Sequence, residues 1–67
     1  MSDYAKRKQR ETERVIEQVK TKGGFSAFWI TETAIRARVA DELINSGKIK
    51  PKRGYNTYPW QSYKLIG

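Results

Sequence analysis

The stretch Thr31-Glu32-Thr33-Ala34-Ile35-Arg36-Ala37-Arg38-Val39-Ala40-Asp41-Glu42-Leu43-Ile44-Asn45-Ser46-Gly47 decides how the rest of the chain is read. Ile35, Val39 and Leu43 recur every fourth residue, and Ala40 and Ile44 widen that line into an apolar stripe. This is the period of a helix that buries one face. Thr31 stands where a side-chain oxygen caps the first turn, and Glu32 meets the positive end of the helix dipole. Asn45-Ser46-Gly47 supplies the ending, with glycine in the left-handed position after the last turn. The spacing predicts a helix over 31–46, with Ala34, Arg38, Asp41, Glu42 and Asn45 on the outer arc. Arg36 falls within the apolar arc, one turn from the helix start. A long side chain there passes the edge of a core and reaches outward, so Arg36 is expected to be exposed.

Upstream, residues 3–22 contain neither Pro nor Gly and are mostly good helix formers. Tyr4, Lys8, Thr12, Val15, Ile16 and Val19 line up on one face at steps of three or four. That face becomes apolar only from Val15, so the second half is expected to meet the core. Residues 1–11, with Lys6-Arg7-Lys8 and Arg10, read as a basic arm or a frayed helix start. Gly23-Gly24 stops this helix. Phe25-Ser26-Ala27-Phe28-Trp29-Ile30 allows two readings. Ser26 is placed to cap a one-turn helix, whereas Phe28-Trp29-Ile30-Thr31 is equally β-prone. In either case Phe25, Phe28 and Trp29 are expected to be mainly core.

Downstream, Lys48-Ile49-Lys50 alternates out, in, out, and Pro51 suits only an edge strand. Residues 52–59 are rich in turn formers and too long for a tight hairpin, so this loop is expected to project. Trp60 to Ile66 reads as a second strand with Tyr63 and Leu65 on one face. The C-terminal region is thus expected to be a two-stranded ribbon.

Composition narrows the chemistry. The chain has 67 residues and a net charge of +7, with no Cys and no His. This length fits one domain, residues 1–67, burying about 60% of the surface its unfolded chain exposes. Disulfides, zinc fingers and Cys or His catalysis are excluded. No Gly-rich phosphate loop or cluster of metal ligands is present, so neither an enzyme nor a cofactor or metal site is expected. The longest apolar run, Phe25 to Ile30, is far short of the roughly 18–20 residues of a membrane span. A cytoplasmic protein with no small-molecule substrate is the expectation.

The charge is unevenly spread. Residues 23–47 carry Arg36 and Arg38 against Glu32, Asp41 and Glu42. Residues 48–67 carry Lys48, Lys50, Lys52, Arg53 and Lys64 with no acid, interleaved with Tyr55, Tyr58, Trp60 and Tyr63. Such a run favours a polyanion, and nucleic acid first among them. An acidic protein surface anchored by these aromatics, or single-stranded nucleic acid or RNA stacked on them, are the competing readings.

Helix, short apolar segment, helix ending in glycine, and basic ribbon together resemble a winged helix-turn-helix domain, an α+β fold of small bacterial and phage regulators. Thr31 to Leu43, then Ser46-Gly47-Lys48-Ile49, then Tyr63-Lys64-Leu65 carry the likeness, which covers roughly residues 12–66. Between Gly24 and Thr31 there are only six residues, where that family fits a full helix and a turn. The resemblance implies double-stranded DNA as partner, with room for a homodimer or a larger protein complex on it. It implies that the helix over 31–46 enters the major groove, with Thr33, Arg36, Ala37 and Arg38 near bases or flanking phosphates. It further implies that Lys48, Lys50, Lys52, Arg53, Tyr55 and Asn56 form a wing on the backbone, with Lys6 and Arg7 on an N-terminal arm.

Overall fold

A computed structural model describes residues 3–66; Met1 and Ser2, part of the expected basic arm, and Gly67 lie outside the described residues. The chain runs as helix α1 (Asp3–Lys22), strand β1 (Gly24–Ser26), helix α2 (Ala27–Ile30), helix α3 (Ala34–Asn45), strand β2 (Ile49–Pro51) and strand β3 (Trp60–Leu65). It is a small α+β fold with an antiparallel sheet in the order β1-β3-β2.

The first helix forms as the sequence predicts, including the segment expected to fray. Its end is set by Gly23, whose φ of 77° lets its amide donate to the Val19 carbonyl at 2.9 Å. Gly24 then crosses close over β3: a Cβ here would overlap the Gln61 carbonyl. That close approach lets Gly24, Phe25 and Ser26 pair with Ser62, Gln61 and Trp60. The expected two-stranded ribbon is therefore a three-stranded sheet, because the segment after the glycines adds a strand too short to show any alternation.

The ambiguous segment divides in two. Gly24–Ser26 is extended, and Ser26 then caps the single turn of α2 by accepting from the Phe28 amide at 3.1 Å. The β reading of Phe28 to Thr31 is overturned. So is Thr31 as the cap of the long helix, because Thr31 is occupied in closing α2, its hydroxyl donating to the Ala27 carbonyl at 2.8 Å. Thr33 takes the capping role, its hydroxyl accepting from the Arg36 amide at 2.9 Å, and α3 begins at Ala34. At the other end, Gly47 (φ 79°) donates to Ile44 O and Lys48 to Leu43 O, the paired bonds of a Schellman ending.

Val15 and Val19 of α1, Phe25 of β1, Val39, Ala40 and Leu43 of α3, and Ile49 of β2 form the core. Phe25 stacks on Tyr63 with ring centroids 4.6 Å apart. Ala34, Arg38, Asp41, Glu42 and Asn45 are all exposed, as the wheel predicts. Phe28 departs from expectation: it is 65% exposed, while Phe25 is buried and Trp29 half-buried. A single helical turn presents only one side to the core, and Phe28 falls on the other.

Candidate nucleic-acid interface

The predicted contact residues fall into three groups with different surroundings. The first centres on Arg36. The expectation that it is exposed is wrong, since it keeps only 5% of its surface. Its Nε donates to Glu11 Oε1 at 3.0 Å, while Nη1 donates to Glu32 Oε1 at 2.8 Å and to the Trp29 carbonyl at 2.9 Å. The guanidinium also lies 4.3 Å from the Trp29 ring centroid, a cation–π arrangement. Burial opposes the charge most strongly, yet the hydrogen bonds and charges of Glu11 and Glu32 outweigh it and hold the pKa above its ordinary value. One planar fork thus joins α1, α2 and α3, and its buried position keeps it from any base edge. A carboxylate on α1, buried at 9% exposure and shared with Arg14 at 3.5 Å, makes this possible.

The second group is the outer ridge of α3. Ala34, Arg38, Asp41 and Asn45 are exposed and Ala37 is half-buried. Arg38 makes no ion pair among the described residues. It stands with Tyr4, Ala34 and Ile35 around a shallow groove between α1 and the start of α3. Thr33 is exposed, but the acceptor side of its hydroxyl is engaged in capping. With Asp41 on the same ridge, this face is nearly neutral.

The third group is the ribbon. Lys50 of β2 lies directly opposite Lys64 of β3 in the antiparallel register, and both are exposed. Lys48 precedes β2, but its carbonyl accepts from the Ile66 amide at 2.8 Å, which continues the pairing one step. Two-residue alternation then carries its side chain to the side of Lys50. None of Lys48, Lys50, Lys52, Arg53 and Lys64 makes an ion pair among the described residues. Lys52 folds back over Gly23, with its ammonium 3.5 Å from where a Cβ on that residue would sit. The C-terminal end of α1 gives it a partly negative neighbour there. Ile49 and Tyr63 turn to the opposite side; burial, and then the charge of Asp41, push the Tyr63 phenol pKa up.

The loop over 52–59 does not project freely. Asn56 Oδ1 accepts from the Ser62 amide at 2.7 Å and from Gln61 Nε2 at 2.9 Å, while its Nδ2 donates to the Lys52 carbonyl at 3.0 Å. The Ser62 hydroxyl donates to the Tyr55 carbonyl at 2.7 Å. Asn56, one of the residues expected on the DNA backbone, is the clasp that lays the loop along β3. Tyr55 and Arg53 remain exposed on it, and Lys6 and Arg7 are exposed on α1. Lys8 pairs with Glu42 at 3.0 Å.

Two features lie outside the sequence-based expectations. Lys64 is not among the expected DNA contacts, although alternation from Leu65 puts it on the outer side. Phe28 and Tyr58, both exposed, meet edge to face at 6.0 Å, and nothing in the sequence reports that approach.

No group of acids that could hold a metal ion occurs among the described residues, and no helix there is long and apolar enough to cross a membrane. Comparison with protein-family models, curated proteins and solved structures finds none that matches this chain.

Proposed function

We propose that this protein binds double-stranded DNA through its basic ribbon, in the manner of a winged helix-turn-helix domain from a small regulator. The observation that carries the reading is the Lys50–Lys64 pair. Like charges placed directly opposite on a sheet repel, so a fold under no other demand replaces one of them. Here neither has a carboxylate nearby in sequence, and Lys48 adds a third ammonium to the same side. A phosphate chain relieves the repulsion by taking up all three charges and releasing its own counterions. The element order and the sheet order β1-β3-β2 support the winged reading, with residues 52–59 as a short wing folded along β3.

Within this reading α3 supplies recognition sparingly. Arg38 is its one outward cation, with Thr33, Ala34 and Ala37 beside it, so a guanine contact from Arg38 is the main source of base preference. Most of the affinity comes from phosphates, and discrimination between sequences is modest.

The test is fluorescence anisotropy of a labelled DNA duplex titrated with protein over a range of salt concentrations. Micromolar or tighter binding is expected, with a log–log salt slope of several neutralised phosphates. The double change Lys50→Ala, Lys64→Ala should lower that slope by about 0.9 for each phosphate no longer neutralised. Lys52→Ala with Arg53→Ala should lower it less, because Lys52 is partly engaged at the end of α1. No binding at low salt by the folded protein would overturn the proposal and make an acidic protein the partner to seek.

A further inference from the structure

We propose that Phe28 and Tyr58 form a notch for an unpaired nucleobase, so that the protein prefers duplex DNA bearing a single-stranded extension. The inference rests on the nucleic-acid reading above and adds a second subsite to it. Phe28 is 65% and Tyr58 79% exposed, and their ring planes meet at 73° with centroids 6.0 Å apart. Exposed rings of this size are normally scattered singly; two held together at one corner form an apolar patch with a shape.

The backbone fixes that corner from both sides. The Ser26 hydroxyl caps the Phe28 amide, and the Ala27 amide donates to the Pro59 carbonyl at 2.8 Å, extending the β1–β3 pairing past the strand. The Trp60 amide closes the turn onto the Thr57 carbonyl at 2.7 Å. A flat ring laid on one of the two aromatic faces meets the other ring edge-on, the arrangement aromatic quadrupoles favour.

Charge selects the occupant. Tyr58 ends the loop that begins with Lys52 and Arg53, and residues 48–67 contain no acid. The Lys50–Lys64 pair lies further along β3, with Lys64 four residues beyond Trp60. Glu32, the acid nearest Phe28 in sequence, is paired with Arg36. The ligand that suits such a place is aromatic and anionic at once, as a base on its phosphate chain is. A base inside a duplex offers only its edge to the grooves and cannot lie flat on a side chain. The notch therefore fits an unstacked base at a strand end, gap or fork.

Binding of labelled blunt duplex is to be compared with the same duplex carrying a short single-stranded extension, at matched salt. The wild-type protein is expected to bind the extended form about tenfold more tightly. Phe28→Ala, which removes one wall of the notch and lies outside the wing, should erase that preference while leaving blunt-duplex affinity and its salt slope unchanged. Tyr58→Trp, which keeps a stacking face, should retain it. Both side chains are mostly exposed, so the variants should fold, and circular dichroism checks that they do. Equal wild-type affinity for the two DNAs overturns the notch and leaves duplex binding standing; failure to bind either overturns both. If the alanine variant keeps the preference, or if sedimentation shows that it turns a dimer into a monomer with DNA binding intact, the pair is not a base site.

Discussion

Helix α3 and the β2–β3 ribbon both carry the cations that a DNA-binding reading asks for, and the fold uses them in opposite ways. Arg36 on α3 is buried against two carboxylates, a carbonyl and an indole. Lys50 and Lys64 on the ribbon face each other in solvent with no carboxylate between them. The difference lies in what surrounds each charge. A buried guanidinium held by carboxylates is part of the scaffold, and its removal strands the partners it leaves behind. An exposed pair of like charges adds nothing to the scaffold and stands ready for an external anion. Charge alone does not mark a functional residue; on the DNA-binding reading proposed above, charge that the fold leaves uncompensated is what a ligand would use.

Removing Arg36 should have the largest effect. Arg36→Ala leaves Glu11 buried with only a partly exposed Arg14 for company and takes a hydrogen-bond donor from the Trp29 carbonyl. It should destabilise the fold by about 3–5 kcal/mol in urea unfolding. The double variant Arg36→Met, Glu11→Leu should recover much of that loss, because replacing a whole buried pair with apolar groups is far milder than orphaning one member. Should Arg36→Ala leave the protein too unfolded to measure, Arg36→Lys gives a graded version, since one ammonium cannot bridge two carboxylates and cover the Trp29 ring. A variant as stable as the wild type but unable to bind DNA would reverse the assignment and return Arg36 to the interface.

How far the sequence reveals this arrangement depends on the distance over which each signal acts. Local signals carry through: the glycines after both long helices, the stripe from Ile35 to Leu43, the Ser26 cap and the edge position of Pro51. Where a signal is local but ambiguous, a neighbour decides, as when Thr31 closes α2 and leaves Thr33 to begin α3. Nonlocal pairings are out of reach. Glu11 lies 25 residues from Arg36, and nothing near either one announces the pair, so an arginine on an apolar arc reads as reaching outward. The three-residue β1 shows no period, so the central place of β3 has no trace in the sequence. The Asn56 clasp is hidden because a turn-forming side chain and a phosphate-binding one are the same residue type. The Lys50–Lys64 opposition lies between these cases: alternation gives the side of each lysine, but only the register sets them face to face.

On the exposed side of α3 the expected effect is smaller and falls on binding. Arg38 makes no ion pair among the described residues, so Arg38→Ala should change unfolding stability by no more than about 0.5 kcal/mol. Affinity for a preferred duplex should drop by about 1–3 kcal/mol, with a lesser loss on unrelated sequence. Equal losses on both would make Arg38 one more phosphate contact. Base preference would then have to come from DNA shape, and α3 would differ from the ribbon only in how many charges it lends.

The smallest change is also the most discriminating. Lys50→Glu turns the repulsive cross-strand pair into an attractive one with Lys64, and thermal or urea unfolding should show a gain of about 0.2–1 kcal/mol. The same change puts a negative charge where a phosphate is to lie, so affinity for duplex DNA should fall and the salt slope should flatten. Stability and binding would then move in opposite directions. A residue kept for folding cannot behave so, because its loss lowers both. A merely solubilising lysine cannot either, because its loss leaves binding untouched. If Lys50→Glu raises stability with DNA affinity unchanged, the opposed lysines are an unrelieved strain without a ligand, and the ribbon loses its claim to be the interface. If it lowers stability, the two side chains do not meet as the register places them, and the contrast with Arg36 rests on a wrong face of the sheet.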